Sequence, residues 1–210
     1  FARVKSFHLR QVNKSFKFKD RYGNQLAYKY TPLDKVGLYV PGGKASYPST
    51  VIMNSVPAIV AGVKNICATV PAPNNMVNAG VIYAAKVCGI KKIFKVGGAQ
   101  AIAALTYGTK TIDKVDKIVG PGNIFVATAK KEVFGQVGID MIAGPSEITV
   151  IAGPENNPTW TVLDLLSQAE HDELSQSILI TKSLSFANKV NNEVKKIIQI
   201  LPRAKIAKLS

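Results

Sequence analysis

The sequence predicts an α/β chain: a doubly wound, Rossmann-like parallel sheet, followed by the start of a second, truncated α/β domain. Three observations predict it. After residue 30, short β-rich runs alternate with helical patterns. The runs are almost continuously apolar, as strands covered on both faces must be. Glycine turns recur where strand passes into helix, at VPGG (40–43), VGGAQA (96–101) and VGPGN (119–123). Such alternation buries its apolar faces as a parallel sheet with helices on both sides, wound by right-handed crossovers.

Residues 1–30 form a polar N-terminal segment, with a helix-like FARVKSFHLRQ and a hairpin signal around Arg21-Tyr22-Gly23-Asn24. Residues 31–138 carry the first Rossmann-like domain. Its first strand is VGLYVPGG (36–43), stopped by Pro41-Gly42-Gly43. In the helix that follows (47–63), Val51, Ile52, Val56, Ile59 and Val60 share one face. Pro48 suits its first turn, and Pro57 should kink it. Strand NICATVPAP (65–73) precedes helix 76–90, KKIFKVGG (91–98) precedes helix 99–108, and VDKIVGPG (115–122) precedes helix 123–135. Residues 139–210 open the second domain. Here 139–153 reads as strand, turn, strand; 157–172 as a helix with Thr159 as N-cap; 175–181 as a strand; and 186–201 as an amphipathic helix.

Composition narrows the function. The 210 residues are 47% hydrophobic and 19% charged, a globular balance that excludes disorder and fibrous classes. No apolar run approaches the roughly 18 residues of a membrane span. FARVKSFHLR lacks the apolar core of a signal peptide, so a cytoplasmic protein without a membrane partner is expected. A chain that opens on Phe1, inside an element, reads as a piece of a longer protein. The net charge of +14 is concentrated at the ends: residues 1–30 hold eight basic side chains and one acid, residues 181–210 seven and one, and the 150 between them twelve and eleven. A phosphate-tracking groove needs cations gathered on one surface. Solvated helix faces carrying lysines explain the distribution better than nucleic-acid binding does. Cys67 and Cys88 lie in apolar stretches without a CxxC, and are expected as buried, reduced thiols.

Sheets of this kind bind ligands beyond the carboxyl ends of their strands, where the glycine turns fall. Backbone N–H groups at a helix N-terminus attract phosphate, and glycine allows close approach. None of the three turns is a GxGxxG or a Walker loop, so spacing alone also fits ordinary strand-to-helix connections. The amides Gln100 and Asn123, planted in those turns, could hold a ribose, a pyrophosphate or a carboxamide. In GPSE (144–147), Ser146 lacks the GxSxG setting of a nucleophile and suits hydrogen bonding to a polar substrate. In SQAEH (167–171), Gln168 and His171 lie three apart on one helical face. They could offer an amide oxygen and an imidazole nitrogen to one metal, although two ligands do not complete a site and a capping or surface role fits the same spacing. His8 has no assigned role.

Five stretches in order then carry a family resemblance: PLDKVGLYVPGGKASYPSTVIMNSVPA (32–58), VGGAQAIAALTYGT (96–109), KIVGPGNIFVATAKKEVFG (117–135), DMIAGPSEI (140–148) and DLLSQAEHD (164–172). Together they resemble histidinol dehydrogenase, from about FHLRQ (7–11) to the end. The resemblance implies an enzyme of histidine biosynthesis that oxidises L-histidinol to L-histidine through L-histidinaldehyde. It implies NAD and zinc as cofactors and a homodimer. Carried over, Tyr39, Gln100 and Asn123 match NAD contacts, Ser146 a substrate contact, and Gln168 and His171 zinc ligands that also border the substrate. The family's catalytic Glu-His pair and its remaining zinc ligands, an Asp and a His, fall downstream of Ser210, and Glu170-His171 is not that pair. No catalytic residue is therefore assigned in this chain, which resembles the central half of the enzyme and is expected to be inactive alone. Two alternatives remain: a non-catalytic α/β remnant that binds nucleotide weakly, and, less favoured, a basic nucleic-acid-binding domain.

Overall fold

In the computed structural model the described residues are 1–42, 47–142, 144 and 146–210. They form two compact units, Phe1–Ile142 and Ala143–Ser210. In the first, helix α1 (Ala2–His8) is followed by an antiparallel hairpin of β1 (Phe16–Lys19) and β2 (Gln25–Tyr28). Asp20 closes the hairpin turn by accepting the N–H groups of Tyr22 and Asn24 and the amide of Asn24, each at 2.9 Å. Those bonds, led by the Asn24 amide, hold its carboxyl below the ordinary carboxylate range. Lys17 and Lys19 thus sit on a hairpin, not on the helix face expected for the basic ends.

Five parallel strands follow: β3 (Lys35–Tyr39), β4 (Asn65–Thr69), β5 (Lys92–Phe94), β6 (Lys117–Val119) and β7 (Gly138–Ile139). Four helices connect them: α2 (Pro48–Val60), α3 (Ala79–Val87), α4 (Gly98–Tyr107) and α5 (Ile124–Glu132). The strand order β5-β4-β3-β6-β7 is doubly wound, with β3 in the middle. The chain moves outward from β3 through β4 to β5, then crosses back to lay β6 and β7 on the other side. The expected mixed α/β fold with a parallel sheet is present. Residues 138–139, read from the sequence partly as the start of the second series, pair with β6 as a fifth strand.

The alternating residues of β3 explain the two helix layers. Val36, Leu38 and Val40 enter one core with Val51 of α2 and Val81, Ala84 and Ala85 of α3. Tyr39 enters the other with Ala101, Ile102 and Leu105 of α4, Ile118 of β6 and Val126 of α5. Gly37 makes room on that second face, since a Cβ there would stand 2.9 Å from Leu105 Cδ2. Pro57 does not stop α2, which runs on to Val60 and closes at Ala61-Gly62.

The second unit contains β8 (Glu147–Ile151) and β9 (Gln176–Ile180), paired in parallel, with α6 (Pro158–Ala169), α7 (Leu184–Ile197) and the short α8 (Ala204–Ala207). Val162, Leu165, Leu166 and Ala169 of α6 pack with Phe186 and Val190 of α7 and Ala207 of α8. The cap of α6 is Asn157, whose Oδ1 accepts from Thr159 N at 2.8 Å, and not Thr159. Pro158 explains this, because it favours the first helical position directly after the cap. The Thr159 hydroxyl instead donates to Glu193 Oε1 at 3.3 Å. No helix among the described residues is long and apolar enough to cross a membrane.

One glycine is fixed by both space and backbone. Gly120, just after β6, has φ +121, and a Cβ there would stand 2.1 Å from the Tyr39 carbonyl oxygen. Gly120→Ala is expected to cost at least about 2 kcal/mol, because a side chain at this φ is strained even before the clash. Denaturant unfolding of the variant beside the parent measures it; a loss within about 0.5 kcal/mol, the scatter of ordinary surface substitutions, would show the turn can rearrange.

Candidate functional site

The crevice of a doubly wound sheet opens where adjacent strands send their helices to opposite faces. Here that point lies between β3 and β6. Tyr39, the last residue of β3, is only 4% exposed and stands at this junction. Its hydroxyl accepts the N–H of Gly98, the first residue of α4, at 3.0 Å. Its carbonyl lies against Gly120 in the turn that leads to α5. Pro71, beyond β4, wedges between two of the turns: a Cβ on Gly42 would be 3.1 Å from its carbonyl oxygen, and one on Gly97 2.4 Å from its Cγ. The three glycine turns are therefore packed together at the carboxyl end of the sheet. Gly43 of VPGG lies outside the described residues.

Two helices begin here, and each presents N–H groups that its own turns cannot satisfy. Gln100 is exposed in the first turn of α4. Its Oε1 folds back over the helix start, 2.7 Å from where a Cβ on Gly98 would be. Asn123 is the N-cap of α5, and its Oδ1 accepts from Val126 N at 3.1 Å. That bond fixes the side chain and turns its NH₂, a donor, away from the helix. The Tyr39 oxygen accepts the Gly98 N–H and still carries its own O–H. Tyr39, Gln100 and Asn123 are thus brought to one end of one sheet, as two N-terminal helix turns and the phenol between them.

Sequence reading missed the groups beneath this floor. Lys130 of α5 is 3% exposed. Its ammonium donates to Asp140 and, at 3.1 Å, to the carbonyl of Gly120. Asp140 Oδ2 accepts the Gly120 N–H at 2.8 Å. The signal was present in VATAKKEV (126–133): Val126, Lys130 and Val133 recur at helical spacing, which puts a lysine on the buried face of α5.

In the second unit, Gln168 is half-buried in the last turn of α6. Its Nε2 donates to the hydroxyl of the buried Ser175 at 3.4 Å, which directs the Oε1 end of the amide, the end a metal would take, away from that contact. His171 is not on the helical face the spacing suggested, because α6 ends at Ala169 with Glu170 as its C-cap. It lies in the turn beyond, exposed, with its N–H bonded to the Gln168 carbonyl at 3.0 Å. Ser146 is exposed just before β8, and its carbonyl accepts from Gln176 N at 3.2 Å. Ala143 and Pro145 beside it lie outside the described residues. Among the described residues no three His, Cys, Asp or Glu side chains gather as a metal site. Gln168 and His171 offer an amide oxygen and an imidazole nitrogen, of which the imidazole is a usual zinc donor.

The opposite end of the first sheet is different in character. A cavity of about 300 Å³ there is lined by Lys35, Cys67, Cys88, Lys92 and Asp113, among others. Asp113 bridges Lys35 at 3.6 Å and Lys92 at 3.4 Å, and these ammonium groups hold its carboxyl below the ordinary range. Both thiols are free; Cys88 is buried, whereas Cys67 is half-buried and not fully enclosed as expected. Desolvation pushes the Cys67 thiol up and leaves it a poor nucleophile. Lys35 opens β3 and Lys92 opens β5, so both stand at the amino ends of their strands.

A doubly wound parallel sheet with two helix N-termini and three glycine turns around its switch point defines a Rossmann-like α/β protein. The family model described as Histidinol dehydrogenase matches residues 1–210, and the chain belongs to that family. It is 57% identical over 204 residues to histidinol dehydrogenase of Hydrogenovibrio crunogenus, covering 97% of this chain and 47% of that protein. To histidinol dehydrogenase of Aquifex aeolicus it is 58% identical over 208 residues, 99% of this chain and 48% of that protein. The crystal structure of histidinol dehydrogenase from Elizabethkingia anophelis matches with a TM-score of 0.92 at 41% identity, covering 99% of this chain and 48% of that one. The chain spans about half the length of the curated relatives it matches.

Tyr39→Phe removes the acceptor for Gly98 N–H at the start of α4. A loss of about 1–2 kcal/mol is expected, the usual consequence of leaving a largely enclosed donor unpaired. Thermal unfolding checks it, and an unchanged midpoint would mean that water replaces the hydroxyl without cost.

Proposed function

We propose that the chain supplies the nucleotide crevice and part of the metal site of an enzyme that oxidises L-histidinol to L-histidine with NAD and zinc. The observation that carries this reading is the junction at Tyr39, where β3, the start of α4 and the turn into α5 meet. Family membership selects the substrate. Bound NAD would accept hydride, and bound zinc would act as a Lewis acid toward the amino alcohol. In this reading the N–H groups at the start of α4 and α5 face the pyrophosphate. Gln100 and Asn123 contribute amide hydrogen bonds, and the Tyr39 O–H donates a hydrogen bond to the nucleotide. Gln168 and His171 orient the substrate through the metal, and Ser146 donates a hydrogen bond to it. The proton transfers fall to residues of the longer protein, which as in the resembled family would work as a cytoplasmic homodimer.

Two measurements test this. In the full-length protein, His171→Ala is expected to lower zinc affinity at least tenfold, the low end of what even an outer-shell partner contributes, at roughly 10–100-fold. The fold should be unchanged by circular dichroism, and zinc content equal to the parent would remove His171 from the ligand set. The 210-residue chain by itself is expected to form no detectable NADH from L-histidinol, because general acid–base catalysis alone typically contributes about 10²–10⁴-fold. Turnover by the purified chain would place the proton-transfer groups within these residues.

A further inference from the structure

We propose that Lys130 and Asp140 are positioning residues for dinucleotide binding, acting together as a clamp on one peptide, Gly120; this rests on the reading above that the nucleotide sits against the turn into α5. The burial of a lysine is the first reason. An apolar residue at position 130 would continue the Val126–Val133 stripe without the desolvation that an enclosed ion pair demands. The pair instead directs hydrogen bonds to both sides of a single residue. Lys130 Nζ donates to Gly120 O at 3.1 Å, while Asp140 Oδ2 accepts from Gly120 N at 2.8 Å. Asp140 Oδ1 takes the ammonium and also the N–H of Met141 at 2.8 Å, so the carboxylate is held from its own backbone side as well.

Geometry explains why these residues can do this. Helical side chains lean toward the N-terminus of their helix. Lys130, two turns along α5 from the Asn123 cap, therefore reaches back beneath the turn that opens the helix. Gly120 needs such a hold: its φ is +121 and it lies against the Tyr39 carbonyl. The following three residues, Pro121, Gly122 and Asn123, determine where the first N–H groups of α5 point. Because the ammonium is neutralised by the carboxylate, the contribution to binding is directional and not Coulombic. It works by pre-organisation, which raises affinity by removing ordering costs and adds no ligand contact.

The test uses the full-length protein with Asp140→Ala, Asp140→Asn and the apolar double variant Lys130→Met/Asp140→Leu. NAD+ affinity is measured by equilibrium titration, KM for L-histidinol by steady-state kinetics, and folding by thermal unfolding. Asp140→Ala is expected to weaken NAD+ about tenfold, with the L-histidinol KM within about twofold. Asp140→Asn retains an acceptor for the Gly120 N–H and should stay within about threefold of the parent. The double variant removes both charges, should fold, and should bind NAD+ like Asp140→Ala. Parent-like NAD+ affinity in folded Asp140→Ala or in the double variant overturns the proposal, as does failure of all three to fold, which would make the pair structural. If the parent itself binds no NAD+, the crevice reading fails, and the clamp fails with it; this is a separate and recognisable result.

Discussion

Burial of both faces of β3 is the constraint on which the first unit depends, because it decides which residues can end the strand and what they meet. Three side chains of the segment go to the α2–α3 core, and Gly37 and Tyr39 go to the α4–α5 core. A central strand with helices on both sides has no solvated face, so every polar group at its end must find a partner within the protein. The Tyr39 hydroxyl finds the first N–H of α4. The peptide of Gly120 finds an ion pair. The same packing that buries the strand thus draws the two glycine turns toward each other and leaves the crevice at its end.

The two ends of the sheet use charge in opposite ways. At the amino ends, Lys35 and Lys92 open strands β3 and β5 and remain largely in water, with Asp113 shared between them. Exposed pairs of this kind contribute little to stability. At the carboxyl ends the enclosed Lys130 pairs with the part-exposed Asp140. Removing Asp140 would cost about 3–5 kcal/mol, since the ammonium is left charged and enclosed. A chain with net charge +14 therefore keeps most of its cations where they solvate the molecule, and commits one to shaping the turn that opens α5.

Much of this architecture was legible in the sequence, and for identifiable reasons. Strands β3 to β6 are short apolar runs with a glycine or proline stop, and α2 to α5 carry apolar residues at helical spacing, so local pattern and tertiary burial agree. β7 was not separable, because two residues have no periodicity; only pairing with β6 defines it. Thr159 and Asn157 are both good caps, and the choice between them follows from Pro158 and not from propensity. The glycine turns and their amides could be named from sequence, but their meeting at Tyr39 is a long-range fact that spacing does not contain. Lys130 was readable as a lysine on an apolar stripe; its partner, ten residues later and beyond β7, was not.

The second unit shows why a pair of donors is not yet a site. Gln168 and His171 sit where α6 runs out, and what fixes them is not a common helical face. Gln168 is anchored by the α6 core beneath it and by Ser175 at its amide nitrogen, and the two residues are tied by one backbone bond across the helix end. Among the described residues these bonds bring one amide and one imidazole to the end of α6 without completing a metal shell. Zinc in tetrahedral coordination needs about four donors, so on the proposed reading Gln168 and His171 supply two of them and do not hold the metal by themselves. The turn into α5 in the first unit is the reverse case: Asn123 is fixed by capping Val126 N and the Gly120 peptide is held on both sides by Lys130 and Asp140, so the start of that helix is ordered by bonds within one unit.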